Sequence, residues 1–456
     1  MTDQIDTIAT NLERIRSALQ SQRVEDALAI LQEMHPADQA ELFNFLSDDE
    51  QILLLSRLDI PSTADLLEEL EDSDVLDAVE SLDSERLADL LDEMEPDEAA
   101  DLIGDLSPAQ ASEVLAQMED LEEVLPLLWH PDETAGGLMT TRYIALRRQT
   151  TAEQAINFLR EVSPETEVPY YLYVVDREKR LVGVVGLREL IVAKPSAGME
   201  SIMDPEVNSV TVGTDQEEVA HIMTRYDLAN LPVVDEHRRL VGVITHDDLV
   251  DVLEDEATED ILRLSAIESG AILDKPYWSQ RITDIVRSRF VWLVLLFGAA
   301  TFTGTVLRHF QDDLEQVVAL SFFVPLLIGT GGNAGFQTVS TVIRALALRE
   351  VRSKDVLRVW WREARAGILL GLMLGVLGFV WATIWGVDSN IAITVALTVS
   401  AICFWATTVA SLIPIAAYAV RIDPTVVSGP LMSTLIDGTG LIIYFTLAAL
   451  ILPQLN

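Results

Sequence analysis

The sequence predicts a multidomain protein: an all-α helical-repeat N-domain, a duplicated α/β module, a connecting helix, and an α-helical membrane domain of five spans. Three observations predict it. Charge divides the 456 residues sharply, since residues 1–281 hold 20 Lys/Arg and 63 Asp/Glu, a net −43, while residues 282–456 hold 11 and 10, a net +1. Two internal repeats of different period lie in the acidic part. The long apolar runs all lie in the other part.

Residues 1–135 read as the N-domain. Leucines recur at three- and four-residue spacing with Asp and Glu on the remaining faces, the pattern of amphipathic helices. A short unit recurs as Ala64-Asp-Leu-Leu-Glu-Glu-Leu70, Ala88-Asp-Leu-Leu-Asp-Glu-Met94 and Ala100-Asp-Leu-Ile-Gly-Asp-Leu106. Pro36, Pro96 and Pro108 stand where first-turn prolines start helices. The expectation is a stack of short helices, each burying one stripe against its neighbour.

Residues 136–253 carry the second repeat. Val174-Val-Asp-Arg-Glu-Lys-Arg-Leu-Val-Gly-Val-Val185 aligns with Val233-Val-Asp-Glu-His-Arg-Arg-Leu-Val-Gly-Val-Ile244 at an offset of 59 residues. Each copy opens on a methionine, Met139 or Met203, and reads as β-α-β-β-α with a charged turn between two apolar strands. This duplicated texture resembles a tandem CBS pair, or Bateman module, with a first domain at 136–198 and a second at 199–253. The resemblance implies ligand sensing rather than catalysis. Gly242-Val-Ile-Thr245-His-Asp-Asp248 fits the pattern by which such domains hold a ribose, whereas Gly183-Val-Val-Gly186-Leu-Arg-Glu189 departs from it. Tyr171, Arg188, Gly242, Thr245 and Asp247 are the nucleotide candidates, and binding of a nucleotide such as ATP stays open beside a module that binds none.

Residues 246–281 read as a connecting helix and linker. The run from His246 to Ile267 is acidic, with Val250, Leu253, Ala257, Ile261 and Leu264 on one stripe, and Pro276 ends any continuation. From 282 to 456, apolar segments are expected near 290–307, 317–343, 366–386, 391–420 and 425–452. Pro325, Pro414 and Pro430 offer places to kink or break. Arg281, Arg287 and Arg289 precede the first segment. Arg344, Arg349, Arg352, Lys354, Arg358, Arg362 and Arg365 lie between the second and third. The positive-inside rule then places the N-terminus in the cytoplasm and, with five spans, the C-terminus outside the cell (inner) membrane. The N-terminus lacks a basic region followed by an apolar run, so no secretory signal is expected.

One acidic residue sits at membrane depth. Asp437 lies in Ser433-Thr-Leu-Ile-Asp-Gly-Thr-Gly-Leu441, with apolar sequence continuing to Leu452. A carboxylate there costs a few kcal/mol unless it finds a partner, and a cation is the simplest one. Pro325-Leu-Leu-Ile-Gly-Thr-Gly-Gly-Asn-Ala-Gly-Phe-Gln337 allows close helix packing or an opened backbone facing water. Asn333 and Gln337 are one helical turn apart and suit a pore lining. A single carboxylate is poor compensation for a divalent ion, so a two-fold homodimer presenting two is expected. Mg²⁺ keeps its waters and prefers octahedral oxygen shells, so two aspartates plus carbonyls suit its hydrated form.

The exclusions are as definite. A net charge of −42 argues against binding nucleic acid or anionic lipid headgroups, because repulsion from phosphates would dominate. A single cysteine, Cys403, excludes a disulfide framework. No His-Glu-x-x-His pair and no glycine-rich loop followed by Lys-Ser/Thr is present, so neither a membrane metalloprotease nor an ATP-driven pump is expected. The chain is not expected to be an enzyme.

The order of these parts resembles the MgtE magnesium channels. The resemblance is carried by Gly331-Gly-Asn-Ala-Gly-Phe-Gln337, Asp423-Pro, Ser428-Gly-Pro430, Leu435-Ile-Asp-Gly-Thr-Gly-Leu441 and Glu254-Asp-Glu-Ala-Thr-Glu-Asp-Ile261. It implies a homodimeric channel for passive Mg²⁺ uptake, shut when cytoplasmic Mg²⁺ locks the N-domain, the CBS pair and a plug helix together. It implies a pore ion site at Asp437, with the carbonyl of Ser433 one turn earlier and Asn333 lining the pore. It implies sensor ligands at Asp215, Glu217, Asp227, Asp248, Asp251, Glu256 and Glu259. Phe336 and Gly438 depart from what some relatives are expected to carry, which bears on selectivity. A channel for Co²⁺ or Mn²⁺, or a membrane-anchored CBS sensor that conducts nothing, are the alternatives.

Overall fold

The computed structural model describes residues 2–70, 72–79, 82–162, 171–268, 280–426 and 429–455, so Pro276 and Ser428 lie outside the described residues. The chain forms two compact units, Met1–Glu256 and Ala257–Asn456.

The first unit begins with short helices: α1 (Thr2–Gln20), α2 (Val24–Gln32), α3 (Pro36–Phe43), α4 (Asp48–Leu55), α5 (Ile60–Glu68), α6 (Asp72–Val79), α7 (Ser84–Glu93), α8 (Pro96–Asp105), α9 (Pro108–Leu115) and α10 (Leu121–Val124). Pro36, Pro96 and Pro108 each occupy the first turn of a helix, where the missing N–H would have had no partner anyway. The repeated unit is a repeat of burial. Ala64, Leu66 and Leu67 are buried, as are Ala88, Leu90 and Leu91, and Ala100, Leu102 and Ile103. Helices two apart pack together, α3 on α5, α5 on α7, α7 on α9, and α4 on α6, α6 on α8. Two interlocked rows result, because each eight- to ten-residue helix has only one apolar stripe to bury.

The duplicated module follows. Its first copy holds β1 (Ala145–Arg147), α11 (Ala152–Val162), β2 (Tyr171–Val175), β3 (Leu181–Gly186) and α12 (Leu187–Val192). After α13 (Met199–Ile202), the second holds β4 (Val210–Thr211), α14 (Gln216–Tyr226), β5 (Leu231–Val234), β6 (Leu240–Ile244) and α15 (His246–Leu264). Each sheet is three-stranded, with a parallel pair (β1–β2, β4–β5) and an antiparallel pair (β2–β3, β5–β6).

The copies clasp each other reciprocally. Thr140, beside Met139, exchanges two backbone hydrogen bonds with Val243 of the second copy, at 2.9 and 3.0 Å. Asp204, beside Met203, does the same with Val184 of the first, at 2.8 and 2.9 Å. The Met139 side chain covers Gly242, and that of Met203 covers Gly183. The charged turns also meet, with Leu181 N–H donating to the Arg238 carbonyl and Leu240 N–H to that of Lys179. The first copy keeps its own apolar core, whereas the second shares one with the helical repeat through Met223, Val233, Leu249 and Val252.

Among the described residues of the second unit, five helices are long and apolar enough to cross a membrane. They are α16 (Ile282–His309), α18 (Val324–Ala347), α19 (Val356–Ile384), α20 (Ser389–Ala419) and α21 (Gly429–Ile451), with a short α17 (Gln311–Gln316) after α16. Pro325 and Pro430 fall in first turns and start helices rather than breaking them; Pro414 lies inside α20. The third helix starts at Val356, ten residues before the apolar segment. Its first turns carry Arg358, Arg362 and Arg365, which hide a helix from hydropathy but not from the backbone. Gly367, Gly371, Gly375 and Gly378 form a smooth strip on which α20 sits through Thr407, Cys403, Ser400 and Val395.

Candidate ion sites

The glycine-rich segment is continuous helix, not opened backbone. Gly331, Gly332 and Gly335 are buried along one side of α18, which packs on α21. At Gly332 a Cβ would press into the Ser433 hydroxyl and lie 3.4 Å from Asp437 Oδ1. Only glycine lets the α18 backbone approach Ser433 and Asp437 this closely. The Oδ1 atom of Asp437 is buried and has no hydrogen-bond partner. Asn333 and Gln337 are exposed one turn apart on α18. The structure therefore brings Gly332, Ser433 and Asp437 together and leaves Asn333 on an open face of the same helix. Neighbouring residues fix α21 in place. Trp405 Nε1 donates to Thr439 Oγ1 at 2.8 Å, and the Phe302 ring fills the gap over Gly438.

The seven acidic candidates of the first unit and of α15 fall in separate places. Asp248 lies in the first turn of α15, where its Oδ2 accepts from Thr245 N–H at 3.0 Å and from Thr245 Oγ1 at 2.6 Å. It faces Asp97 of α8, a residue that sequence reasoning did not single out. Asp97 is 6% exposed, and its Oδ1 has no hydrogen-bond partner. Burial, then repulsion from Asp248, Glu95 and Glu98, holds the Asp97 carboxyl well above the usual carboxylate range. Burial pushes Asp248 up to about 6 despite the two Thr245 hydrogen bonds. Asp251, one turn on, is raised by burial and then by Asp255, Asp247, Glu254 and, from the helical repeat, Glu69. A buried carboxyl with an orphaned oxygen beside a half-buried one forms a donor set that a hard divalent cation would relieve. Among the described residues no three His, Cys, Asp or Glu side chains converge as a metal cluster.

Asp215 and Asp227 sit at opposite ends of α14. Asp215 caps its N-terminus, accepting from Glu217 N–H at 3.0 Å, and Asp227 ends it in a left-handed conformation, φ 50°. The two caps are twelve positions apart, about 18 Å at 1.5 Å per residue, so they cannot share an ion. Glu256 receives a hydrogen bond from Gln216 Nε2 at 2.8 Å. In the membrane unit, Glu259 pairs with Arg263, which also pairs with Asp423. Leu264, at the end of α15, packs with Met432 and Ile436 of α21, the turn that carries Asp437.

The nucleotide candidates also separate. Tyr171 and Gly186 are paired across β2 and β3, with Arg188 exposed just beyond on α12. In the second copy Gly242 is covered by Met139, and the Thr245 hydroxyl is spent on Asp248. That copy's ribose-like pattern thus has a packing role in this structure.

A stack of short acidic helices and a clasped CBS-type pair, followed by five membrane helices with an orphaned carboxylate, define a multi-pass membrane protein with a large acidic helical and α/β part. Family models match along the chain: a divalent cation transporter domain, MgtE, at residues 324–447, the MgtE intracellular N domain at 34–133, and CBS domains at 135–196 and 199–255. The magnesium transporter MgtE of Thermus thermophilus is 42% identical over 330 residues, 72% of either chain. That of Bacillus subtilis is 32% identical over 445 residues, 97% of either chain. The chain belongs to the MgtE family. Among solved structures it resembles the cytosolic domain of the Mg²⁺ channel MgtE in complex with ATP, at 37% identity and a TM-score of 0.50 over 53% of this chain and 99% of that one. The soluble part of a magnesium transporter matches at 32% identity and a TM-score of 0.50, over 55% and 99%.

Proposed function

We propose that this chain is a Mg²⁺ transporter of the channel type, passing hydrated Mg²⁺ passively through the pore of a homodimer. The observation that carries the reading is the orphaned Oδ1 of Asp437, held beside Ser433 on the glycine face of α18. Two copies of Asp437 would supply the charge a divalent ion needs, and Ser433 and Asn333 would hydrogen-bond its water shell. Selectivity then rests on fit to the hydrated ion, since no ring of carboxylates strips it.

Closure follows from the same electrostatics. Asp97 and Asp248 repel one another unless a cation lies between them, so cytoplasmic Mg²⁺ favours the state that holds them together. Mg²⁺ at Asp97–Asp248 and along Asp251, Glu256 and Glu259, with contributions from Asp215, Glu217 and Asp227, would bias α15. That helix runs continuously from the first unit into the second and ends against α21. A nucleotide such as ATP at Tyr171 and Arg188 would tune this equilibrium. The N-terminus would face the cytoplasm and the C-terminus the outside.

The test is Mg²⁺ flux into proteoliposomes containing a Mg²⁺-sensitive dye, comparing the wild type with Asp437→Asn. Flux in the wild type and none in a folded variant supports the pathway. Undiminished flux in the variant removes Asp437 from it.

A further inference from the structure

The foot of α19 carries a feature that the ion sites do not use. From 344 to 365 the chain holds seven Lys/Arg against three Asp/Glu, so the repulsion of anionic lipid expected from the net charge of −42 does not apply here, the acidic excess lying before residue 282. All seven cationic side chains are exposed. Arg358, Arg362 and Arg365 follow one stripe of the helix. On the adjoining stripe, Leu357 and Trp361 are 75% and 53% exposed, one turn apart. The Arg365 guanidinium lies 5.6 Å over the Trp361 ring, and its Nε donates to the Trp361 carbonyl at 3.2 Å. The patch is therefore a cationic stripe beside an apolar one, tied together by a stacked arginine.

Its backbone is fixed. Ala364 and Gly367 are buried on the opposite side of α19, and Val351, Val356 and Val359 pack on Val342, Leu346 and Ile415. Two further arginines hold costly conformations nearby in the topology. Arg349, after α18, has φ 55°, and Arg421, after α20, has φ 62°. Helices commonly end on glycine at this position, because glycine is left-handed without penalty. The second and fourth spans both run toward the side where the third begins, so both arginines add charge at that membrane face.

We infer that this face binds the headgroup of an anionic phospholipid, on Arg358, Arg362 and Arg365, with its acyl chains against Leu357 and Trp361. The inference rests on the five-span reading of this unit and does not require the transport mechanism. The exposed apolar stripe continues up α19 through Ile368 and Leu372, 43% and 57% exposed, so the occupant must be anionic at one end and apolar along its length. Clusters of this size beside a membrane helix attract anionic lipid. A free phosphate matches only the first half of the patch.

The test uses the purified full chain in neutral detergent, offered equimolar phosphatidylglycerol and phosphatidylcholine, with retained lipid read by native mass spectrometry. The wild type should retain the anionic lipid by about fivefold or more over the zwitterionic one. The triple variant R358Q/R362Q/R365Q should lose the preference, while R358K/R362K/R365K should keep it. Millimolar inorganic phosphate should not displace the lipid. Equal retention in the wild type, an unchanged preference in the Gln variant, loss in the Lys variant as well, or displacement by phosphate alone would each overturn the proposal. So would a Gln variant whose lipid preference is intact but whose inhibition by Mg²⁺ is weakened, since the patch would then serve the chain's own acidic residues.

Discussion

Arg263 Nη1 donates to Asp423 Oδ2 at 2.7 Å, joining the last turn of α15 to the turn that precedes α21. Glu259, one turn back on α15, pairs with the same guanidinium. Asp260 is raised above the usual carboxylate range by burial and then by Asp423. Arg263 is thus a tethered cation among three carboxylates.

Arg263→Gln should leave those carboxylates without compensation. Arg263 is 40% and Asp423 34% exposed, and Glu259 is 21% exposed on its own helix, so the direct loss should be modest, about 0.5–1 kcal/mol. The expected outcome is a slightly lower melting temperature in EDTA and a larger rise on adding Mg²⁺ than the wild type shows. Differential scanning fluorimetry of the full chain with and without Mg²⁺ checks it; an identical Mg²⁺ response would mean the cluster does not exchange arginine for metal.

Asp97 and Asp248 give the proposed sensor a pH dependence. Asp248 titrates near 6 when folded, against about 3.9 for an unperturbed aspartate. The folded state therefore holds an extra proton between about pH 4 and 6. The contact is most stable below that window and loses stability as pH rises through 6. Without Mg²⁺, the acidic half should be less protease-sensitive at pH 5.5 than at 7.5. Added Mg²⁺ should protect more strongly at 7.5, where no proton competes. Asp97→Asn should flatten both trends.

Gly332→Ala places a methyl against Ser433 Oγ and near Asp437 Oδ1. Overpacking of this kind costs about 1–3 kcal/mol. Flux should drop by about tenfold or more with expression retained. Adding Ser433→Ala makes room for the methyl and should restore thermal stability more than flux, because a hydroxyl proposed to meet the ion's water shell is then missing. Equal recovery of both would assign Gly332 to packing alone.

The two copies of the module should differ toward nucleotide. Tyr171→Ala and Arg188→Ala should abolish binding of ATP measured by calorimetry on the full chain. Thr245→Val should leave it intact, since that hydroxyl is committed to Asp248, but should weaken Mg²⁺ protection. Loss of nucleotide binding in Thr245→Val would place the ligand in the second copy instead.

Much of this fold was legible because it is periodic. The prolines at 36, 96 and 108 mark helix starts since their ring suits a first turn, and the 59-residue repeat marks two sheets with the same order of strands. The start of the third membrane helix was not legible. Arg358, Arg362 and Arg365 lower the hydropathy while leaving helix formation intact. Asp437 stood out because no charge surrounds it in sequence. Asp97 could not stand out, being one of 63 acidic residues before position 282, and only burial distinguishes it. The separation of Asp215 from Asp227 follows once α14 is seen as one helix with an aspartate at each end.

The exchange of Met139 and Met203 across the module has a consequence for its parts. Each sheet is finished by a segment from the other copy, so neither is a self-sufficient folding unit. A cut after Gly198 would yield two fragments, each with a bare glycine on its last strand and a methionine with nowhere to go. A polypeptide carrying one copy alone could complete its sheet only by borrowing the segment from a second molecule. Duplication within one chain makes that loan internal, and the joining of the copies becomes independent of protein concentration.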